Sequence, residues 1–267
     1  MQLFALPAAP PGQVTVHGRT FRLERVFKHD FFAATTLYAA QRAGAGPRQV
    51  VVKFGRTQGF CGLSGRWIGR WLLRREQRFH RRADGIAGIQ RWLGGLSDTA
   101  YVLEYVPGQT LDALATPPSG AFFDALRETL DALHRRDVAC CDLNKRSNIV
   151  VGPGGRPVLI DFQISMVHDP ALPWRWLTWP LVRYFQRMDL YHLYKHKRRL
   201  APAELRPQEA ALLRRPGRLL SWHRRLVTPL RGLRRAFLAR LHRAGRLISP
   251  SAHLEDHQQP EKATWRR

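Results

Sequence analysis

Apolar and polar positions alternate early in the chain with the period of two that marks half-buried strands. Val14-Thr15-Val16, Thr20-Phe21-Arg22-Leu23 and Thr36-Leu37-Tyr38-Ala39 carry the alternation. Gly44-Ala45-Gly46-Pro47 signals a turn, and Gln49-Val50-Val51-Val52-Lys53-Phe54 follows as a β-branched strand. Together these predict an antiparallel meander of about three strands, preceded by a loose Ala/Pro-rich tail in the first ten residues. The period then lengthens. A helix rich in arginine is expected from about Arg66 to Ala83, with Trp67, Trp71 and Arg75, or Leu72 and Glu76, on successive turns. Tyr101-Val102-Leu103-Glu104-Tyr105-Val106 reads as a strand stopped by Pro107-Gly108. Phe122, Leu126, Leu130 and Leu133 recur at helical spacing between about Gly120 and Arg136. Ile149-Val150-Val151 and Pro157-Val158-Leu159-Ile160, joined by Gly152-Pro153-Gly154-Gly155, predict a tight hairpin. Beyond about residue 171 the pattern is helical, with no internal repeat.

Strands first and helices later point to an α+β chain of two lobes, with a cleft where they meet. A length of 267 residues and a hydrophobic fraction of 44% suit a globular protein of that size. No run of about 18 apolar residues is present, so no spanning helix is expected. Residues Met1 to Pro7 lack a basic start followed by an apolar stretch, which predicts a cytoplasmic protein without a secretory leader. Three cysteines, Cys61, Cys140 and Cys141, suit a reducing compartment and supply neither a disulfide framework nor zinc-ligand spacing.

Charge changes the picture more. The net charge is +24, and residues 171–267 hold 22 of the 44 basic residues but 6 of the 20 acidic ones. Such a surface attracts polyanions, whether nucleic acid, anionic lipid or a phosphorylated glycolipid. No aromatic-rich RNA-binding signature or helix-turn-helix pattern appears, so nucleic acid is not the expected partner. Near the end, Thr228-Pro229 reads as a helix start and Gly245 as its stop. Leu230, Leu233, Phe237 and Leu241 fall on one face, and Arg231, Arg234, Arg235, Arg240 and Arg243 lie elsewhere. This basic amphipathic helix of residues 228–245 either packs on the domain or lies on an anionic membrane.

Three segments carry candidate chemistry. Lys53 sits mid-strand among valines, either on a solvent face or aimed into a cleft. Asp142-Leu143-Asn144-Lys145-Arg146-Ser147-Asn148 is a polar loop between an apolar helix and an apolar strand. Asp161 ends a buried strand in Leu159-Ile160-Asp161-Phe162, where a lone carboxylate needs a metal or cation as compensation. Asp and Asn from one loop with Asp from the next give oxygen ligands of the type magnesium takes.

The order of a strand lysine, a helix glutamate, Leu133-His134, Asp142-Leu143, Asn148-Ile149-Val150 and Ile160-Asp161-Phe162 resembles the protein-kinase-like superfamily over about residues 20 to 195. It is most similar to the bacterial lipopolysaccharide core kinases, which phosphorylate Kdo or heptose, and to related bacterial Ser/Thr protein kinase homologues. The resemblance implies a tail and first strand over 1–19, a kinase N-lobe with an antiparallel sheet over 20–106, and a mainly helical C-lobe over 107–248. A disordered tail over 249–267 would follow. It implies ATP and Mg2+ as cofactors. Lys53 would contact the α and β phosphates, Glu76 would hold Lys53, and Asp142 would orient or deprotonate the attacking hydroxyl. Asn148 and Asp161 would hold magnesium, and Glu104, Tyr105 and Val106 would bond adenine through their backbone.

The departures are specific. Phe27-Lys28-His29-Asp30-Phe31-Phe32-Ala33-Ala34-Thr35 has no glycine where a phosphate-covering loop is usual, although Lys28 offers charge there. Cys140-Cys141 replace His-Arg before the loop aspartate. One extra residue separates Asp142 from Asn148, which leaves Ser147 as an alternative metal ligand. Asp161-Phe162-Gln163 lacks the usual glycine. Asp189 is either a brace for the catalytic loop or an exposed acid. Trp174, Trp176 and Trp179, with Arg175, Arg183 and Arg187, suit a headgroup-level interface or, more commonly, core packing. The expected function is phosphotransfer from ATP to a lipopolysaccharide-core sugar or related anionic glycolipid at the inner membrane face. A Ser/Thr protein kinase and an inactive kinase-fold module binding membrane or nucleic acid are the alternatives.

Overall fold

The computed structural model describes residues 4–59, 64–169, 171, 173, 175–214, 240, 249–251 and 254. These form an α+β protein of two compact units. The described residues up to Arg74, with Trp92–Tyr105 and residues 240, 249–251 and 254, belong to the first unit; Arg75–Arg91 and those from Val106 to Arg214 belong to the second.

The first unit is built on β1 (Gln13–Val16), β2 (Arg19–His29), β3 (Ala33–Ala40), β4 (Gln49–Gly55), β5 (Trp92–Gly95) and β6 (Ala100–Glu104). Among the described residues they form one antiparallel sheet in the order β1-β2-β3-β4-β6-β5, larger than the expected meander of about three strands. Two features account for the difference. A two-residue turn, His17-Gly18 with both φ values positive (48° and 73°), closes a β1–β2 hairpin of the type favoured by strand twist. The sheet is then extended by β6 and by β5, whose Trp-Leu-Gly-Gly sequence has too few alternating positions to read as a strand. Central β4 is buried on both faces. Val50 and Val52 pack with Phe21, Tyr38 and Val102, while Val51 packs with Leu37, Tyr101 and Leu103. That double burial explains an unbroken valine run where a half-exposed strand would alternate.

Helix α1 (Arg66–Ala83) spans the predicted residues. A Cβ on Gly69 would lie 2.4 Å from the Arg56 carbonyl oxygen, so the helix start crosses the end of β4 at a distance only glycine permits. Arg56 is fully buried and donates to the carbonyls of Phe4, Phe31 and Gly59 at 3.2, 2.8 and 3.2 Å. It thereby ties the N-terminal segment to the β2–β3 turn. Residues from the far end of the sequence also join this unit. Ser249 and Ser251 are buried, and Ser251 Oγ lies 2.7 Å from His29 Nδ1. The rest of the expected tail, the basic helix of residues 228–245 apart from Arg240, Cys61 and Trp174 lie outside the described residues.

The second unit contains β7 (Gln109–Thr110), α2 (Gly120–Arg135), β8 (Val138–Ala139), β9 (Ile149–Val151), β10 (Pro157–Leu159), β11 (Met166–Val167), α3 (Arg175–Leu200) and α4 (Pro207–Arg214). The predicted hairpin is β9–β10, with Val150 opposite Val158, and β7 adds to its other side. A second ladder pairs β8 with β11. Leu126, Leu130 and Leu133 of α2 form the core with Phe79, Ile149, Leu159 and Leu193. Every polar segment with candidate chemistry except β4 is mounted on this core.

Candidate active site

The loop after β8 is shaped from α3. Gln186, Asp189 and His196 recur on one face of that helix, and all three are buried. Gln186 Nε2 donates to the carbonyls of His134 and Val138 at 3.1 and 3.2 Å. Asp189, 1% exposed, accepts the Cys140 N–H at 2.8 Å and the Cys141 N–H at 3.0 Å. His134 Nε2 lies 3.3 Å from the same carboxylate. His196 Nε2–H donates to the Leu143 carbonyl at 2.8 Å. Of the two readings of Asp189, the brace is the one the structure supports. Its partners are backbone N–H groups 48 and 49 residues away, and no local pattern announces them.

This grip holds the residue before Asp142 in a strained conformation. Cys141 has φ +65°, as does Asp161 at +63°. Left-handed backbone at a non-glycine costs about 1–3 kcal/mol and persists only where surroundings enforce it. One strained residue precedes the candidate carboxylate Asp142, and the other is the candidate carboxylate Asp161 itself. Burial, and next the Asp189 charge, raises both cysteine thiols, so neither is a thiolate nucleophile.

Asp142 and Asn148 meet. Asn148 Nδ2 donates to Asp142 Oδ2 at 3.1 Å and to the Asp142 carbonyl at 3.3 Å. Asn148 is buried and makes this contact, which favours it over Ser147 for the position despite the extra residue in the loop. Lys145 Nζ lies 2.7 Å from Asp142 Oδ2. Lys145 was not singled out from sequence; its spacing of three from Asp142 in a loop was the available signal. Burial lifts the Asp142 carboxyl above the ordinary 3.8; Lys145 opposes this, and the Asp161 charge adds to it. That electrostatic coupling brings Asp161 into the same site. The segments are also joined by the Ile160 N–H donating to the Asn148 carbonyl at 3.0 Å.

Asp161 is held from its C-terminal side. Phe162 stacks on Phe79 of α1 with ring centroids 3.9 Å apart, and Ser165 Oγ donates to the Phe162 carbonyl at 2.7 Å. Arg75 Nη2 donates to the carbonyls of Ile164 and Ser165, both at 2.9 Å. The missing glycine after Asp161 is therefore met by aromatic stacking, which fixes the turn.

The donor set fits magnesium. No cluster of three His, Cys, Asp or Glu side chains suited to a metal occurs among the described residues. An all-protein cage is not what magnesium requires, since one or two protein oxygens plus phosphate and water complete its shell. Asp161 supplies a carboxylate, and Asn148 keeps its amide oxygen while its nitrogen donates to Asp142.

The remaining predicted residues are placed individually. Lys53 lies in β4 of the first unit between Thr35 and Tyr101, and at 4% exposure it is not the solvent-facing strand lysine of the simpler reading. Glu76 is fully buried in α1, within the second unit. Glu104 ends β6, Tyr105 follows in the first unit and Val106 begins the second, all partly buried. Lys28 is ion-paired with Asp30 at 2.8 Å in an exposed setting. Trp176 and Trp179 are 74% and 52% exposed, contrary to the core packing expected of them, because α3 acquires a buried face only from Val182 onward.

Neither a protein-family profile nor a curated protein sequence matches the chain. Among solved structures, it is similar to the Rio2 kinase from Chaetomium thermophilum at 16% identity and a TM-score of 0.49 over 67% of this chain. It is similar also to that kinase's ADP/Mg2+-phosphoaspartate complex, at 16% identity and 0.47 over 66%. The chain spans 57% and 55% of those two kinase chains, little more than half their length.

Proposed function

We propose that the chain is an ATP-dependent, magnesium-using kinase of the protein-kinase-like superfamily, and that its acceptor is a hydroxyl of a lipopolysaccharide-core sugar or related anionic glycolipid. The observation that carries the reading is the set of Asp142, Asn148 and Asp161: Asp142 and Asn148 are hydrogen-bonded on a loop that Asp189 braces in a strained conformation, and Asp161, on the segment after β10, acts on the Asp142 carboxyl. Strain and a raised carboxyl together mark sites built for chemistry.

In this reading Asp142 takes the proton of the attacking hydroxyl as its oxygen bonds to the γ-phosphorus. The bond to the β-bridging oxygen breaks and ADP leaves. A carboxyl raised by burial is a better proton acceptor than an ordinary one. Lys145 supplies positive charge beside the acceptor, where the transferred group spreads negative charge over its oxygens. Asn148 and Asp161 would hold magnesium, which supplies charge neutralisation on the phosphates. Lys53 is assigned to phosphate contact, Glu76 to holding it, and Glu104 to Val106 to adenine. An acceptor at the inner membrane face suits the excess of arginine after residue 171. No helix among the described residues is long and apolar enough to cross a membrane.

The test is to incubate the protein with γ-labelled ATP, magnesium and an envelope extract of its source, beside Asp142→Ala and Asp161→Ala. Label in extractable glycolipid, lost in both variants, is the expected result. Asp-dependent label on protein alone would reassign the chain to the protein kinases. ATP binding without Asp-dependent transfer would make it an inactive kinase-fold module.

A further inference from the structure

The first two turns of α3 stand clear of the second unit's core. Trp176, Leu177, Trp179 and Leu181 are all more than two-fifths exposed, and Arg183 and Arg187 are exposed one and two turns further on. At 100° per residue Trp176, Leu177, Leu181 and Arg187 point away from Val182, Gln186 and Asp189, which face inward; Arg183 borders that inward face, and Trp179 lies on the side of Gln186 two turns earlier, before burial begins. No acidic residue occurs in α3 before the buried Asp189.

Arg183 and Arg187 also border a cavity of about 460 Å³ between α2 and α3. Its other lining residues are Arg127, Asp131, His134, Arg135, Gln186 and Leu190. Four arginines therefore face one aspartate. Arg127 neutralises that aspartate, donating through Nε at 2.8 Å, and also donates to the Tyr194 hydroxyl. Arg183 donates to Gln186 Oε1 at 3.1 Å, and its guanidinium stands 6.0 Å from the Trp179 ring centroid. Arg135 and Arg187 have no ion pair among the described residues, which leaves the cavity with uncompensated positive charge.

We infer that the α2–α3 cavity and the adjoining exposed face of α3 form a docking site for an anionic bilayer, with lipid phosphate groups entering the cavity and Trp176, Leu177, Trp179 and Leu181 entering the interface. Guanidinium groups bind phosphate bidentately, and tryptophan prefers the headgroup level, where one edge is apolar and the other wet. Nucleic acid would satisfy the arginines but offers no apolar layer for two leucines and two tryptophans. The cavity wall includes His134, which contacts the Asp189 brace, so His134 and Asp189 stand between a phosphate there and the loop bearing Asp142. The inference deepens the proposed reading and rests on it for the acceptor, but it is measured without turnover.

The test is flotation of the full chain with vesicles of phosphatidylcholine alone and with 30 mol% (about a third) phosphatidylglycerol, at about 0.1 M salt. The wild type is expected to float with the anionic vesicles and not the neutral ones. Trp176→Ser/Trp179→Ser and Arg183→Glu/Arg187→Glu should each partition at least about tenfold less, with unchanged melting temperature, since all four side chains are exposed. Asp142→Asn should float like the wild type, which separates failure of docking from failure of catalysis. Equal flotation on neutral vesicles, or full retention by either double variant, would overturn the inference. DNA binding lost in the arginine variant but kept in the tryptophan variant would replace it with a nucleic-acid site.

Discussion

Replacing Asp189 by alanine probes the residue on which the loop geometry depends. The change strands two backbone N–H groups, of Cys140 and Cys141, which lose acceptors at 2.8 and 3.0 Å. Hydrogen bonds to a charged group are each worth about 1.5–3 kcal/mol, a gross loss of about 3–6 kcal/mol. Part is offset, because burial holds the Asp189 carboxyl above its ordinary value and alanine removes that penalty. A net loss of about 2–4 kcal/mol is expected, with Asp189→Asn intermediate because its amide can accept one N–H but not both. Urea unfolding followed by circular dichroism reads the loss, and an unchanged slope excludes a change in the extent of unfolding. The pH dependence is a second signature. With the folded value above the unfolded one, the native state binds the extra proton between them, so wild-type stability falls as pH rises through that interval. The alanine variant lacks this contribution, and its deficit should narrow as pH rises from about 3.8, the ordinary carboxyl value. Alanine and wild type of equal stability, or a deficit that does not narrow, would refute the brace.

Lys145→Met should raise the Asp142 carboxyl further, moving the acid limb of kcat/KM to higher pH and lowering kcat by about tenfold or more; a pH–rate profile reads both. The wild-type acid limb itself should lie above the ordinary 3.8, since the reaction needs Asp142 ionised and its folded value is raised. Gly69→Ala should destabilise the first unit by about 1–3 kcal/mol or more, because the new Cβ would meet the Arg56 carbonyl at 2.4 Å; thermal melting measures this. Phe79→Ala should cost about 3–5 kcal/mol and also depress phosphotransfer, as Phe162 loses the ring that fixes Asp161; comparison with Leu126→Ala, equally buried in the same core but not stacked on Phe162, separates the two effects.

Much of this was legible in the chain. Helix α1 and helix α2 carry long apolar stripes, and their spans followed from period alone. The β9–β10 hairpin was announced by its Gly-Pro-Gly-Gly turn. Strand β5 was not legible, since four residues with two glycines have neither alternation nor β-propensity, and it exists because β6 offers it an edge. The Asp142 and Asn148 pair was legible as a polar loop between apolar elements. The charge at its centre was less so, because Lys145 becomes part of the site only when the loop folds back on Asp142. For Trp176 and Trp179 the sequence leaves two readings, a headgroup-level interface and the commoner core packing, and their exposure rules out the second. The sequence pattern of α3 does not show where the helix leaves the body of its unit, which the buried face beginning at Val182 does.

In the proposed reaction Asp142 accepts the proton while Asp161 holds magnesium for ATP. Calorimetric titration of ATP with and without magnesium, paired with single-turnover phosphotransfer, tests it on the wild type, Asp142→Asn and Asp161→Asn. Asp142→Asn is expected to bind ATP with magnesium as tightly as the wild type but to transfer about a hundred- to ten-thousand-fold more slowly, while Asp161→Asn loses the magnesium dependence of binding. Wild-type transfer rates in both variants, or nucleotide binding indifferent to magnesium in the wild type, would contradict it.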